Sequence, residues 1–141
     1  MGVLFSGGCA TGTEQARDEA TGLARSRAKA LPDKVNGMLS APAAPSGDVE
    51  LLAYLESELP TSPDFALFGK ESDGGRVRLR VAIAAQGVGS GVAGGQVFER
   101  VRVCVEVTGT RGVNPRAEVH DTACDDQAIP GQGGIPTVPL D

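Results

Sequence analysis

Apolar residues in the first part of the chain recur at Ala16, Ala20, Leu23, Ala24, Leu31, Val35 and Met38. Steps of three and four gather such positions on one face of a helix. Arg17, Arg25, Arg27 and Lys29 take the other sides. Thr13 is the expected cap, with Glu14, Asp18 and Glu19 in the first turns where the helix dipole favours negative charge. Pro32 lacks an amide donor, which predicts a kink or restart there. Residues 40–47 are rich in Ala, Pro, Ser and Gly and read as a linker. A second helix is expected after a cap at Ser46 or Asp48, with Val49, Leu52, Leu55 and Leu59 sharing a face. Pro60 and Pro63 end it.

From Asp64 the period changes to two, the signature of strands. Phe65 to Lys70 predicts a first strand, and Asp73-Gly74-Gly75 a tight hairpin turn. Arg76 to Ala84 alternates cleanly, with Val77, Leu79, Val81 and Ile83 on one face. Residues 87–95 read as a glycine-rich loop. Val97 to Val107 predicts a third strand and Arg116 to Asp121 a fourth. Short links between sequential strands favour an antiparallel meander. The expected fold is α+β: two N-terminal helices packed on one face of a four-stranded antiparallel meander, two layers deep, with the polar sheet face open to water. Residues 1–12 read as a tether or signal-segment remnant and residues 13–124 as a single domain. The Pro/Gly-rich residues 125–141 read as a flexible tail.

Composition narrows the function. The 141 residues carry a formal net charge of -5, against the basic surplus of a nucleic-acid-coating protein. A single histidine excludes any multi-histidine metal cage or mechanism. No stretch is long and apolar enough to be a membrane-spanning helix. The three cysteines divide. Cys104 lies in the third strand and Cys124 follows the fourth, which makes them the expected disulfide pair. A structural disulfide persists in oxidising compartments, so the pairing argues for export.

Cys9 is then left over. Its context, Leu4-Phe5-Ser6-Gly7-Gly8-Cys9, is a short apolar stretch ending in small residues before a cysteine, and it resembles the lipobox of bacterial lipoproteins. Gly8 fits the position before the cysteine, whereas Ser6 stands where that family prefers Leu, Val or Ile. The resemblance implies that Cys9 is lipidated and becomes the new N-terminus. The segment ahead of Cys9 holds no basic residue and no full-length apolar region, so a working signal requires chain upstream of Met1. A free or partner-linked thiol is the competing reading of Cys9. Met1-Gly2-Val3-Leu4-Phe5-Ser6 also fits the N-myristoylation pattern, a modification of eukaryotes. The excess of Arg over Lys and the abundance of Ala, Gly and Val favour a high-GC bacterial source instead. With Gly8-Cys9-Ala10, the charged helix and the late cysteine pair, the whole chain is similar to small exported or membrane-tethered lipoproteins of high-GC Gram-positive bacteria.

The remaining motifs are weak. Gly89-Ser90-Gly91-Val92-Ala93-Gly94 matches the dinucleotide fingerprint, but strand alternation follows where a phosphate-binding helix is required. His120 and Cys124 have H-x₃-C spacing with no second ligand pair. The strongest surface feature is a row of arginines. Arg76, Arg78 and Arg80 share one face of the second strand, and Arg100 and Arg102 one face of the third. Paired as a hairpin, the five would form one basic patch suited to phosphate or carboxylate. Few aromatics accompany them, which argues against stacking on single-stranded nucleic acid. The expected function is a non-catalytic envelope or secreted domain at the outer face of the cytoplasmic membrane or outside the cell. Its expected partner is a protein or an anionic envelope polymer, with membrane attachment through the N-terminal lipid. No nucleic acid, metal or small-molecule cofactor is expected. The alternatives are an exported immunity or inhibitor protein, and a small hydrolase or metal site centred on His120.

Overall fold

The first helix, α1, spans Gly12–Ser40 as a single 29-residue element in the computed structural model, which describes residues 11–112 and 116–141. Its cap is Thr11 in place of the expected Thr13: the Thr11 side chain accepts a hydrogen bond from the Glu14 amide at 3.0 Å. The helix does not restart at Pro32. Ala28, Leu31 and Val35, on both sides of Pro32, are buried in the same core, so packing keeps the turns on either side helical despite the missing backbone bond. Leu23 is exposed, contrary to the face read from spacing. The buried stripe is instead Ala16, Ala20, Ala24 and Ala28 at strict i, i+4 spacing.

The second helix, α2, spans Asp48–Glu58. It buries Leu51, Leu55 and, at its end, Leu59, while Val49 is 77% exposed and Leu52 half-buried. The face expected from Val49 and Leu52 is therefore rotated. Neither Ser46 nor Asp48 caps it; Gly47 occupies the cap position with no side-chain bond. The Asp48 carboxylate turns away and grips the first hairpin turn, accepting from the Gly74 amide at 2.9 Å, the Gly75 amide at 3.0 Å and the Ser72 hydroxyl at 2.6 Å.

Strands β1 (Phe65–Asp73), β2 (Arg76–Ser90), β3 (Gln96–Thr110) and β4 (Glu118–Asp121) form one antiparallel sheet in chain order. The α+β meander read from the sequence is the observed fold. Gly74 and Gly75 take φ of 62° and 84°, the left-handed conformation that a tight hairpin turn needs. The inner sheet face presents Val77, Leu79, Val81 and Ile83 from β2 and Val101, Val103, Val105 and Val107 from β3 to both helices.

Two expectations fail. Residues 87–90 are not a loop; they continue β2, pairing in register with 96–99. Glycine serves here as the residue that lets another backbone approach. A Cβ on Gly89 would lie 1.9 Å from the Gly12 carbonyl oxygen, and one on Gly12 2.1 Å from that of Ser90. The start of α1 thus rests directly on the strand. The second failure is the flexible tail. Residues 122–141 pack back onto the domain: Ile129 and Gln132 are buried over the outer sheet face, and the chain then passes the β3 edge to bury Leu140 in the main core beside α1. The reason is β3, whose edge beyond β4 has open backbone groups. The Arg102 amide donates to Pro136 O and Val138 donates to Arg102 O, both at 2.9 Å. The outer face expected to meet water is partly covered: Ile129 packs with Ala82 and Cys104, flanked by Ala66, Phe68 and Cys124.

Candidate functional site

The cysteine pair closes as expected. Cys104 on β3 and Cys124 just after β4 are joined by a disulfide, with Cα atoms 5.5 Å apart and a sequence separation of 20. The Thr122 amide bonds to Cys104 O at 3.0 Å, which brings the returning chain beside its partner. A disulfide is compatible with an exported protein. No helix among the described residues is long and apolar enough to cross a membrane. Cys9 lies outside the described residues.

The five arginines do occupy one sheet face, but they do not make one basic patch. Antiparallel register sets Arg76 opposite Thr110 and Arg80 opposite Glu106, while Arg100 faces Gln86 and Arg102 faces Ala84. The pair Ala82 and Cys104, under Ile129, separates the two groups. Four of the five are also ion-paired within the chain. Arg78 pairs with Glu71 at 3.0 Å and with Glu106 at 3.6 Å, and Arg80 pairs with Glu106 at 3.4 Å. Arg100 pairs with Asp64. Arg102 is only 4% exposed. Its guanidinium donates to Thr137 Oγ1 at 2.9 Å and Gln132 O at 3.2 Å, and pairs with Asp126 at 2.6 Å. It is the post onto which the C-terminal segment is tied. Arg76 alone of the five has no ion pair among the described residues.

The weaker motifs resolve simply. Within the glycine motif, Gly89 and Ser90 are the last residues of β2, and Val92–Gly94 is one short 3₁₀ turn before β3 begins. His120 is exposed on β4, 3.9 Å from Glu118. The thiol that H-x₃-C spacing offers it is bonded to Cys104.

A pocket the sequence did not signal opens between α1 and the segment entering β1. Its volume is about 460 Å³. Arg27, Ala30, Leu31 and Lys34, on one α1 face, form one wall, and Pro60, Ser62, Asp64 and Phe65 the other. Buried Leu31 and Ile83 supply an apolar floor. Arg27 donates to the Ala84 carbonyl at 3.3 Å, and neither Arg27 nor Lys34 is ion-paired with a carboxylate among the described residues. The Asp64 carboxylate at the rim is already engaged by Arg100. The pocket therefore sets two cations with no carboxylate partner above apolar side chains, which suits an anion carried on an apolar chain. Its walls come from distant segments, so local spacing could reveal only the α1 half, where Arg27 and Lys34 flank Leu31 at i, i+4 and i+7.

Comparisons of the chain with protein-family models, with curated proteins and with solved structures each find no match.

Proposed function

We propose that this chain is a non-catalytic, exported binding domain of the bacterial cell envelope, tethered through a lipid on Cys9. It takes an anionic amphiphile, a carboxylate or phosphate borne on an apolar chain, in the pocket between α1 and β1. The observation that carries the binding reading is the pairing of Arg27 and Lys34 over the Leu31 and Ile83 floor. The anionic recognition first expected of the sheet arginines moves to this pocket, because four of those five are already paired within the chain. The Cys104–Cys124 disulfide supports the exported setting.

Titration calorimetry with dodecyl phosphate tests the pocket. The wild-type protein is expected to bind it, and dodecanol, which lacks the charge, at least about tenfold more weakly. Lys34→Glu is expected to weaken dodecyl phosphate by a similar factor. Undetectable binding, or binding indifferent to Lys34→Glu, overturns the proposal. Intact mass of the native protein tests the tether: a diacylglyceryl adduct on Cys9 supports it, and an unmodified Cys9 removes it.

A further inference from the structure

The end of the molecule where α1 begins differs from the rest in charge. From Val81 through Phe98 the chain holds no Asp, Glu, Lys or Arg. This run forms most of β2, the turn, and the start of β3. The cap of α1 lies against the same tip, since Gly12 touches Ser90 and Gly89. The first charge along α1 is Glu14. Strand tips in water normally carry charged or polar side chains. This one instead exposes apolar groups: Val92 is 95% exposed, Phe98 52% and Val88 37%. Val88 and Phe98 are cross-strand partners on the outer face, so they form one contiguous patch with Val92 beyond them at the turn.

We infer that the β2–β3 hairpin tip is the membrane-facing end of the protein and seats Val92, Phe98 and Val88 in the bilayer interface. Two observations choose lipid as the occupant. Gly12 lies against this tip and Cys9 is three positions earlier in sequence, so a lipid on Cys9 is tied to the tip by no more than about 11 Å of chain. The Val81–Phe98 run of the tip carries no charge, its flanking charges being Glu14 in the first turn of α1 and the Arg17–Glu99 ion pair, and an apolar patch with an aromatic ring favours the interfacial region. The inference rests on the tethered reading given above. It adds an orientation: the β1–β2 turn, with Asp48 and Val49 beside it, points away from the membrane.

An artificial tether tests the orientation separately from natural lipidation. Cys104 and Cys124 are bonded to each other, so maleimide-bearing lipid reacts at Cys9 of the full chain. The protein has no tryptophan, so Val92→Trp places a single indole at the tip. The variant is anchored on phosphatidylcholine–phosphatidylglycerol vesicles containing brominated phosphatidylcholine. The indole emission is expected to shift to shorter wavelength and to be quenched at least about twofold. Adding Phe98→Asp is expected to restore the water-exposed spectrum. Val49→Trp, at the opposite end, is expected to stay unquenched. Three results overturn the inference: no quenching with Val92→Trp, equal quenching with Val49→Trp, or the same blue shift in concentrated protein without vesicles, which would assign the tip to a second copy of the chain. Native intact mass reports on the Cys9 lipid independently, so failure of the tether and failure of the orientation are read apart.

Discussion

Gly87 on β2 and Ala16 on α1 approach so closely that a Cβ on Gly87 would fall 1.9 Å from the Ala16 carbonyl oxygen and 2.6 Å from the Ala20 amide nitrogen. The obstacle is backbone, which cannot rotate aside. Gly87→Ala is therefore expected to destabilise the fold by about 3 kcal/mol or more, because the helix must lift from the sheet. Gly22, within α1 with nothing within 4 Å of its would-be Cβ, supplies the contrast. Gly22→Ala is expected to stabilise by about 0.5–1 kcal/mol through lower unfolded-state entropy. Urea unfolding of the two variants checks both signs.

Arg102 and Arg78 stand on one sheet face yet do different work. Arg102 is buried and holds Thr137, Gln132 and Asp126, whereas Arg78 is half-exposed between Glu71 and Glu106. Arg102→Ala removes the donors to Thr137 and Asp126 and one of the two donors to the Gln132 carbonyl, and it opens a void, with an expected loss of about 2–3 kcal/mol. Arg78→Ala is expected to change stability by no more than about 0.5 kcal/mol, since exposed ion pairs contribute little. Equal effects would show that Arg102 does not anchor the C-terminal segment.

The contrast between those two arginines also marks what the sequence makes legible. Alternation along Val77–Ile83 and Val101–Val107 reports directly which sheet face is buried, and helical spacing of Ala16, Ala20, Leu31 and Val35 reports the core side of α1. These are local periodicities set by one-sided burial. What local pattern cannot carry is register and return paths. Arg80 and Arg102 look alike until pairing sets one beside Glu106 and the other under Thr137. Gly87 and Gly89 look like loop residues until α1 is laid on them. Residues 125–141 have no period because their order comes from the open edge of β3, from Arg102 and from the disulfide. The pocket joins residues on α1 to residues entering β1, a meeting that exists only after packing. Cys104 and Cys124 were legible as partners because both lie at strand-like segments joined by a short connection.

Reducing the Cys104–Cys124 bond is expected to lower stability by roughly 3 kcal/mol, the contribution of closing a loop of this length in the unfolded chain. The loss should not be uniform. Hydrogen exchange of the Val138 and Arg102 amides, which join the C-terminal segment to β3, is expected to accelerate most. Amides of α1 around Ala16 and Ala20, held on β2 by the close approach of Gly87, are expected to keep their relative protection. Uniform acceleration across both regions would show that the C-terminal segment does not open as a separate unit.

Asp48 links acidity to the first hairpin. The Ser72 hydroxyl, the Gly75 amide and the Gly74 amide all donate to its carboxylate, and together they hold it below its ordinary value of 3.8. A carboxyl with a depressed folded-state pKa binds protons more weakly folded than unfolded. Its stabilising effect is therefore complete above the ordinary value and is lost as pH falls below it, through the folded-state pKa. Asp48→Ala removes the acceptor for all three donors. The stability gap between wild type and variant is expected to be constant from about pH 7 to about pH 5 and to shrink as pH falls toward about 2. Urea titrations at intervals across that range measure it. A gap that stays constant into acid would mean that the hairpin turn does not depend on the Asp48 charge.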